Sequence, residues 1–177
     1  MSSQNAPFSI RDASAADAPT LSLTSWTAFE EYRGLLTPPS AAFDETPEIV
    51  RRELESEYGA ALAEVCDEIA GCVLFRPEGA DLYFGRLSVI PKYRGVGQAG
   101  ALVCSVEAEA VARGCPGVVL GVRIALPDNQ RLFQHLGYVR GCPACALWVS
   151  RTDVDRDAEE APPRLIGRTA DDAPEGT

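Results

Sequence analysis

The 177-residue chain predicts an α/β fold, a mixed α+β sheet flanked by helices. Two observations carry that prediction. Strand-like and helix-like periodicities follow one another in the order β-α-α-β-β-β-α-β-α-β-β. A turn rich in glycine, residues 91–100, joins an apolar strand-like segment to a long amphipathic helix. An apolar content of 46% with 24% charged residues fits a globular domain with a real core.

Each element has its own signal. Residues 8–11 alternate apolar and polar, as a half-buried strand does. Asp12 or Ser14 caps the next helix, residues 15–30, with Leu21, Leu23, Trp26 and Phe29 as its apolar contacts. Residues 34–40 contain Pro38-Pro39 and read as a loop. Thr46 as N-cap and Pro47 at the first helical position start a second helix, which continues through Ile49, Val50 and Leu54 to Tyr58. Three strands follow at 60–66, 69–76 and 81–90, separated by turns at Asp67-Glu68 and Pro77-Glu78-Gly79. Between 97 and 113, apolar positions 99, 102, 103, 106 and 110 share one helical face, and Gly114 ends the helix. Residues 117–124 read as a buried strand, Asp128 caps a short helix to 136, and 138–140 and 146–150 are the last strands. Beyond 150, acids, Pro, Gly and Arg dominate. The expected organisation is one domain over residues 1–150 and an acidic, disordered tail over 151–177.

Composition narrows the function. Lys and Arg number 16 against 26 acids, a net charge of −10. An acidic surface argues against nonspecific nucleic-acid binding, which rests on neutralising phosphates. It steers cationic substrates mildly, and it also serves plain solubility. No apolar run approaches the ~18 residues of a membrane helix. Nothing at the N-terminus reads as a signal peptide, so the expected location is cytoplasmic, with no membrane partner.

Six cysteines stand at 66, 72, 104, 115, 142 and 145. Small buried thiols in the reduced state are the economical reading for most of them. Cys142-Pro143-Ala144-Cys145 has the spacing of half a zinc site or of a redox pair, with core packing as the plainer reading. Zinc needs two more ligands; His135 is the one histidine and no second such pair exists. No metal is therefore expected, and His135 reads as a solvated helix residue.

The chemistry concentrates in Pro91-Lys92-Tyr93-Arg94-Gly95-Val96-Gly97-Gln98-Ala99-Gly100. Glycines before a helix start present a concave row of backbone N–H groups, a site for phosphate. Gly95, Gly97 and Gly100 satisfy the dinucleotide fingerprint G-x-G-x-x-G, but that motif wants a first βαβ unit and an acid about 20 residues on. Here the motif lies past mid-chain, and the corresponding region is Val118-Val119-Leu120-Gly121-Val122.

A different pattern fits better. Arg94 to Ala99 reads Arg-x-x-Gly-x-Ala after Leu87-Ser88-Val89-Ile90-Pro91, and Asn129 precedes a short helix closed by Gly137-Tyr138. With the opening Phe8-Ser9-Ile10-Arg11-Asp12-Ala13, three landmarks stand in order over residues 8–150. The chain thus resembles the GNAT superfamily of acetyl-CoA-dependent N-acetyltransferases. The resemblance implies transfer of an acetyl group from acetyl-CoA to a primary amine by direct attack in a ternary complex. It implies a pyrophosphate held by Arg94, Gly95, Val96, Gly97, Gln98, Ala99 and Gly100, and a pantetheine arm lying along Leu87 and Val89. The Val89 N–H would bond the thioester carbonyl and its oxyanion. Asn129 would contact the arm, or serve only as a turn residue.

Glu30 and Glu31 lie near where the family places its acceptor, as candidate bases or as solvated helix-end charge. Phe133 stands where the family often has a tyrosine that protonates the departing thiolate, and Phe cannot donate a proton. Tyr83 or a water is the expected substitute. That departure keeps a second reading open, a non-catalytic acyl-CoA-binding sensor or scaffold. The acceptor stays open between a small amine and a peptide amine, and the assembly between monomer and homodimer.

Overall fold

The computed structural model describes residues 8–37, 39–121, 126–141 and 147–151. Its elements run in the expected order: β1 (Phe8–Asp12), α1 (Ala18–Phe29), α2 (Pro47–Leu54), β2 (Gly59–Val65), β3 (Glu68–Glu78), β4 (Asp81–Val89), α3 (Gln98–Ala112), β5 (Gly117–Gly121), α4 (Pro127–His135), β6 (Val139–Arg140) and β7 (Leu147–Arg151). The strands form one mixed sheet ordered β1-β2-β3-β4-β5-β7-β6. Among the described residues only β4 and β5 pair in parallel, and every other neighbour is antiparallel. The Cys142–Cys145 pair, the end of the expected strand at 122–124 and the tail from 152 lie outside the described residues.

Two apolar layers sandwich the sheet. On one face α1 and α2 cover Ala60, Leu62, Cys72 and Leu74 with Ala18, Leu21 and Val50. On the other, α3 brings Leu102, Val103, Val106 and Ala110 onto Val73, Phe75, Leu82 and Phe84. Phe133 of α4 and Tyr138 close this second layer around Phe84, with ring centroids 5.9–6.0 Å apart. The Tyr138 hydroxyl reaches Glu107 of α3 at 2.9 Å, which ties the last helix pair together.

Several expectations change in detail. Residues 15–17 form a 3-10 turn, so the first α-helix begins at Ala18. Its buried face is Ala18, Leu21, Ser22, Thr24, Ser25 and Ala28, whereas Leu23 and Trp26 are exposed. Small side chains let α1 lie close to the sheet: Ser22 donates to the Glu45 carbonyl at 3.0 Å, and Ser25 lies 3.7 Å from the Cys72 sulfur. Thr46 caps α2 as expected, accepting from the Ile49 N–H, but the helix stops at Leu54 and Tyr58 lies beyond it. Asp128 sits inside the first turn of α4, where it pairs with Arg131, and Leu126 takes the cap position. Among the described cysteines only Cys72 is buried; Cys66 and Cys104 are exposed and Cys115 is half-buried. Burial pushes the Cys72 thiol up to about 12. His135 is exposed, as expected.

One irregularity shapes the site. Between the pairs Leu74↔Gly85 and Cys72↔Ser88, β4 advances three residues while β3 advances two. The extra residue is a β-bulge, and Arg86 there takes a left-handed backbone, φ +54°. A bulge of one residue reverses the alternation of everything after it. Leu87 and Val89 therefore pack on the same α3 side as Leu82 and Phe84.

Candidate active site

The parallel pairing of β4 with β5 covers only Leu82↔Val118, Tyr83↔Val119 and Phe84↔Leu120. Past Phe84 the pairing stops, and residues 85–89 of β4 have no β5 partner among the described residues. A cleft of about 950 Å³ fills this opening. The Ile90 N–H turns to β3, donating to the Ala70 carbonyl at 2.8 Å. Successive N–H groups of a strand point to opposite edges, so the Val89 N–H turns to the open edge.

The loop expected to hold phosphate stands at the mouth of this cleft. Residues 91–93 make a 3-10 turn, and Gly95 and Gly97 take left-handed backbones, φ +86° and +94°. Those angles require glycine and aim the chain into α3. The first helical bond is Ala101 N–H to the Gly97 carbonyl, 3.0 Å. The amides of Gln98, Ala99 and Gly100 thus have no acceptor within the helix and face its positive end. Lys92 and Tyr93 both bond the Glu68 carboxylate, anchoring the loop to the start of β3.

Arg94, expected to help hold the pyrophosphate, is engaged by neighbouring elements of the protein. Its Nε donates to the Val89 carbonyl at 2.9 Å and its Nη2 to the Ala28 carbonyl at 3.2 Å, while Nη1 pairs with Glu31 at 2.5 Å. It is a tie between loop, β4 and the end of α1, with its charge largely balanced.

The cleft joins most of the sequence-predicted residues. Leu87, Val89, Arg94, Gly95, Gln98, Ala99, Gly100, Gly97, Asn129, Phe133 and Tyr83 all line it. Val96 lies outside its lining, and its side chain is exposed. Glu30 and Glu31, the candidate bases, lie outside this lining. Glu30 is held by Arg33 at 2.8 Å and Glu31 by Arg94. A carboxylate engaged by an arginine prefers to stay ionised, and Glu30 is indeed held below the usual glutamate range by that hydrogen bond. Phe133 faces the cleft as part of the aromatic cluster with Phe84 and Tyr138.

The α1/α2 side of the opening carries residues that no motif signalled. Tyr58, Arg76, Arg86 and Tyr32 line it beside the expected Tyr83. The Arg76 guanidinium lies over the Tyr83 ring at 4.9 Å and donates to the Tyr58 hydroxyl at 3.0 Å. Arg86 is clasped by Glu53, at 2.5 and 3.0 Å, and by Glu45 at 2.5 Å. Burial raises the Glu45 carboxyl, and Arg86 opposes that shift. Burial also raises the Tyr32 hydroxyl, helped by the Glu31 charge. The left-handed Arg86 stands at the β4 bulge, and nothing in the residue order announces a bulge.

The comparisons with known proteins agree with one another. The acetyltransferase (GNAT) family model matches residues 22–138. An acetyltransferase of Sodalis glossinidius is 40% identical over 62 residues, 35% of this chain and 44% of the relative. One from Photorhabdus laumondii is 37% identical over 78 residues, 42% of this chain and 53% of the relative. The chain thus spans about half the length of these curated relatives. The fold is similar to that of PaiA N-acetyltransferase from Thermoplasma acidophilum in complex with coenzyme A, with TM-score 0.72, 15% identity and coverage of 82% of this chain and 99% of that one. It is similar also to the ribosomal-protein-S18-alanine N-acetyltransferase of Escherichia coli, with TM-score 0.64, 14% identity and coverage of 82% and 94%.

Proposed function

The chain belongs to the acetyltransferase (GNAT) family, and from that premise we propose that it moves an acetyl group from acetyl-CoA to a primary amine by direct attack in a ternary complex. The observation that carries this reading is the parting of β4 from β5 beside the uncapped start of α3. An extended acyl-carrying arm fits the unpaired β4 edge as a strand would, and its diphosphate fits the first amides of α3.

The chemistry follows from those positions. The Val89 N–H on the open edge stabilises the oxyanion formed as the amine attacks the thioester; one such donor is typically worth about 3 kcal/mol. A lysine-like amine of pKa ~10.4 is neutral in only about one molecule in 10³ at pH 7. Since Glu30 and Glu31 are held by arginines outside the cleft, the amine loses its proton to water in this reading. The thiolate, with a pKa of about 8.5, leaves readily, and acid catalysis adds only ~10²–10⁴-fold. Tyr83, whose hydroxyl lies between β4 and β5 within 3.4 Å of where a Gly121 Cβ would stand, is the hydroxyl available to it.

The test is incubation with acetyl-CoA and a panel of small amines, amino acids and peptides, followed by thiol release. Calorimetry with coenzyme A accompanies it, and no binding at millimolar coenzyme would sink the proposal. Phe133 supports a second reading, a coenzyme-binding sensor without turnover. Tight acetyl-CoA binding with no transfer across the whole panel favours that reading, and one good substrate eliminates it.

A further inference from the structure

We propose that the Gln98 side chain grips the pantetheine arm of coenzyme A, donating to the carbonyl of one of the arm's two secondary amides and accepting from the N–H of the other. The proposal rests on the coenzyme reading of the cleft and goes beyond it, since Gln98 was expected to act through its backbone N–H alone. Gln98 is the first residue of α3, is 1% exposed, and lines the cleft. Neither its Nε2 nor its Oε1 has a hydrogen-bond partner among the described residues. The other buried positions of the same helix, Leu102, Val103, Val106 and Ala110, are apolar. A buried amide with two orphaned ends opposes folding, and an apolar side chain would suit this position better on packing grounds alone.

The donor set identifies the ligand group. A phosphate only accepts, so it would satisfy Nε2 and leave Oε1 unpaired. An alkyl stem satisfies neither. A trans secondary amide points its C=O and N–H in opposite directions, so the C=O of one amide to Nε2 and the N–H of the other to Oε1 are the complement of both orphans. The position agrees: the Gln98 backbone N–H belongs to the diphosphate-facing first turn, and Leu87 and Val89 of the open strand line the same cleft. The arm must pass from one to the other.

The experiment uses the full chain, with Gln98→Leu and Gln98→Met as variants of similar volume. Coenzyme A and ADP are titrated into each by calorimetry, because ADP keeps a diphosphate and lacks the arm. The expected result is coenzyme A bound about tenfold more weakly by both variants, ADP bound as by wild type, and apo melting temperatures equal to or above wild type. Unchanged coenzyme affinity in a folded variant would overturn the proposal and make Gln98 a structural residue. Equal loss for coenzyme A and ADP would also overturn it, assigning the amide to the diphosphate or the helix start. Failure of wild type to bind coenzyme A would overturn the coenzyme reading itself, and the wild-type titration tells that case apart.

Discussion

Arg94 and Gly97 stand three residues apart and act on the loop by different physics. Arg94 bonds two backbone carbonyls, of Val89 and Ala28, and one carboxylate, of Glu31. Its removal unties the loop from α1 and orphans those carbonyls. Arg94→Ala should therefore lower stability by about 1 kcal/mol, since the pair is half-exposed, and weaken coenzyme binding severalfold. Gly97 has open space where a Cβ would stand, so a side chain there meets no protein atom. Its φ of +94° is the obstacle, and a β-branched residue held there costs about 1–3 kcal/mol. Gly97→Val should abolish most coenzyme affinity at both low and high salt, because the cause is steric and conformational rather than electrostatic. Calorimetry at two ionic strengths, with circular dichroism as the folding control, checks both variants. A folded Gly97→Val protein with unchanged affinity would remove the loop from the site.

At the level of elements, the start of α1 depends on one carboxylate. Asp17 accepts from the Ser14 N–H at 2.9 Å, the Ser14 hydroxyl at 3.2 Å and Arg11 Nη2 at 2.8 Å, while Arg11 also reaches Glu64 of β2 at 2.6 Å. The helix start, β1 and β2 are thereby linked. The Arg11 hydrogen bond, followed by that of the Ser14 backbone, holds the Asp17 carboxyl down at about 2 against an ordinary 3.8. A carboxyl lowered in the folded state adds stability above its unfolded pKa and loses it as pH falls through the folded one. The contribution is thus complete above about pH 4 and fades toward pH 2. Asp17→Asn should melt lower than wild type at neutral pH, by about 1 kcal/mol for a partly exposed network, and the difference should close across that acid window. Thermal melts from pH 7 to pH 2 measure it; a gap that stays constant to pH 2 would show that the carboxylate's charge is not what matters.

On the scale of the whole molecule, the sheet is continuous through β1 to β4 and opens between β4 and β5 after three parallel pairs. The bulge at Arg86 lies at that opening, and the Glu45–Arg86–Glu53 group holds the left-handed residue in place. Coenzyme binding should therefore be a local event at one edge. Hydrogen exchange with and without coenzyme A should show slower exchange for the Leu87 and Val89 amides and for the first turn of α3, with β1–β3 unchanged. Uniform protection across the sheet, or none along β4, would contradict a strand-like arm in the opening.

Residue order by itself determined the succession of elements, the glycine loop with its helix, and the family. These rest on local physics: alternation, the Thr46-Pro47 start, and glycines where φ is positive. It also marked Asn129 and Phe133, because a motif fixes their offset along one helix. Tertiary structure alone decided which α1 face is buried, since small Ser22 and Ser25 beat Leu23 and Trp26 through close packing on the sheet. It decided that Arg94 is a tie and that Glu30 and Glu31 stand outside the cleft, because their partners come from other elements. It brought Tyr58, Arg76 and Arg86 to one side of the opening and left the Gln98 amide buried without a partner among the described residues. The reason is common to all of these: periodicity records which way a side chain points along its own element, while charge pairing, bulges and burial depend on what other elements bring against it.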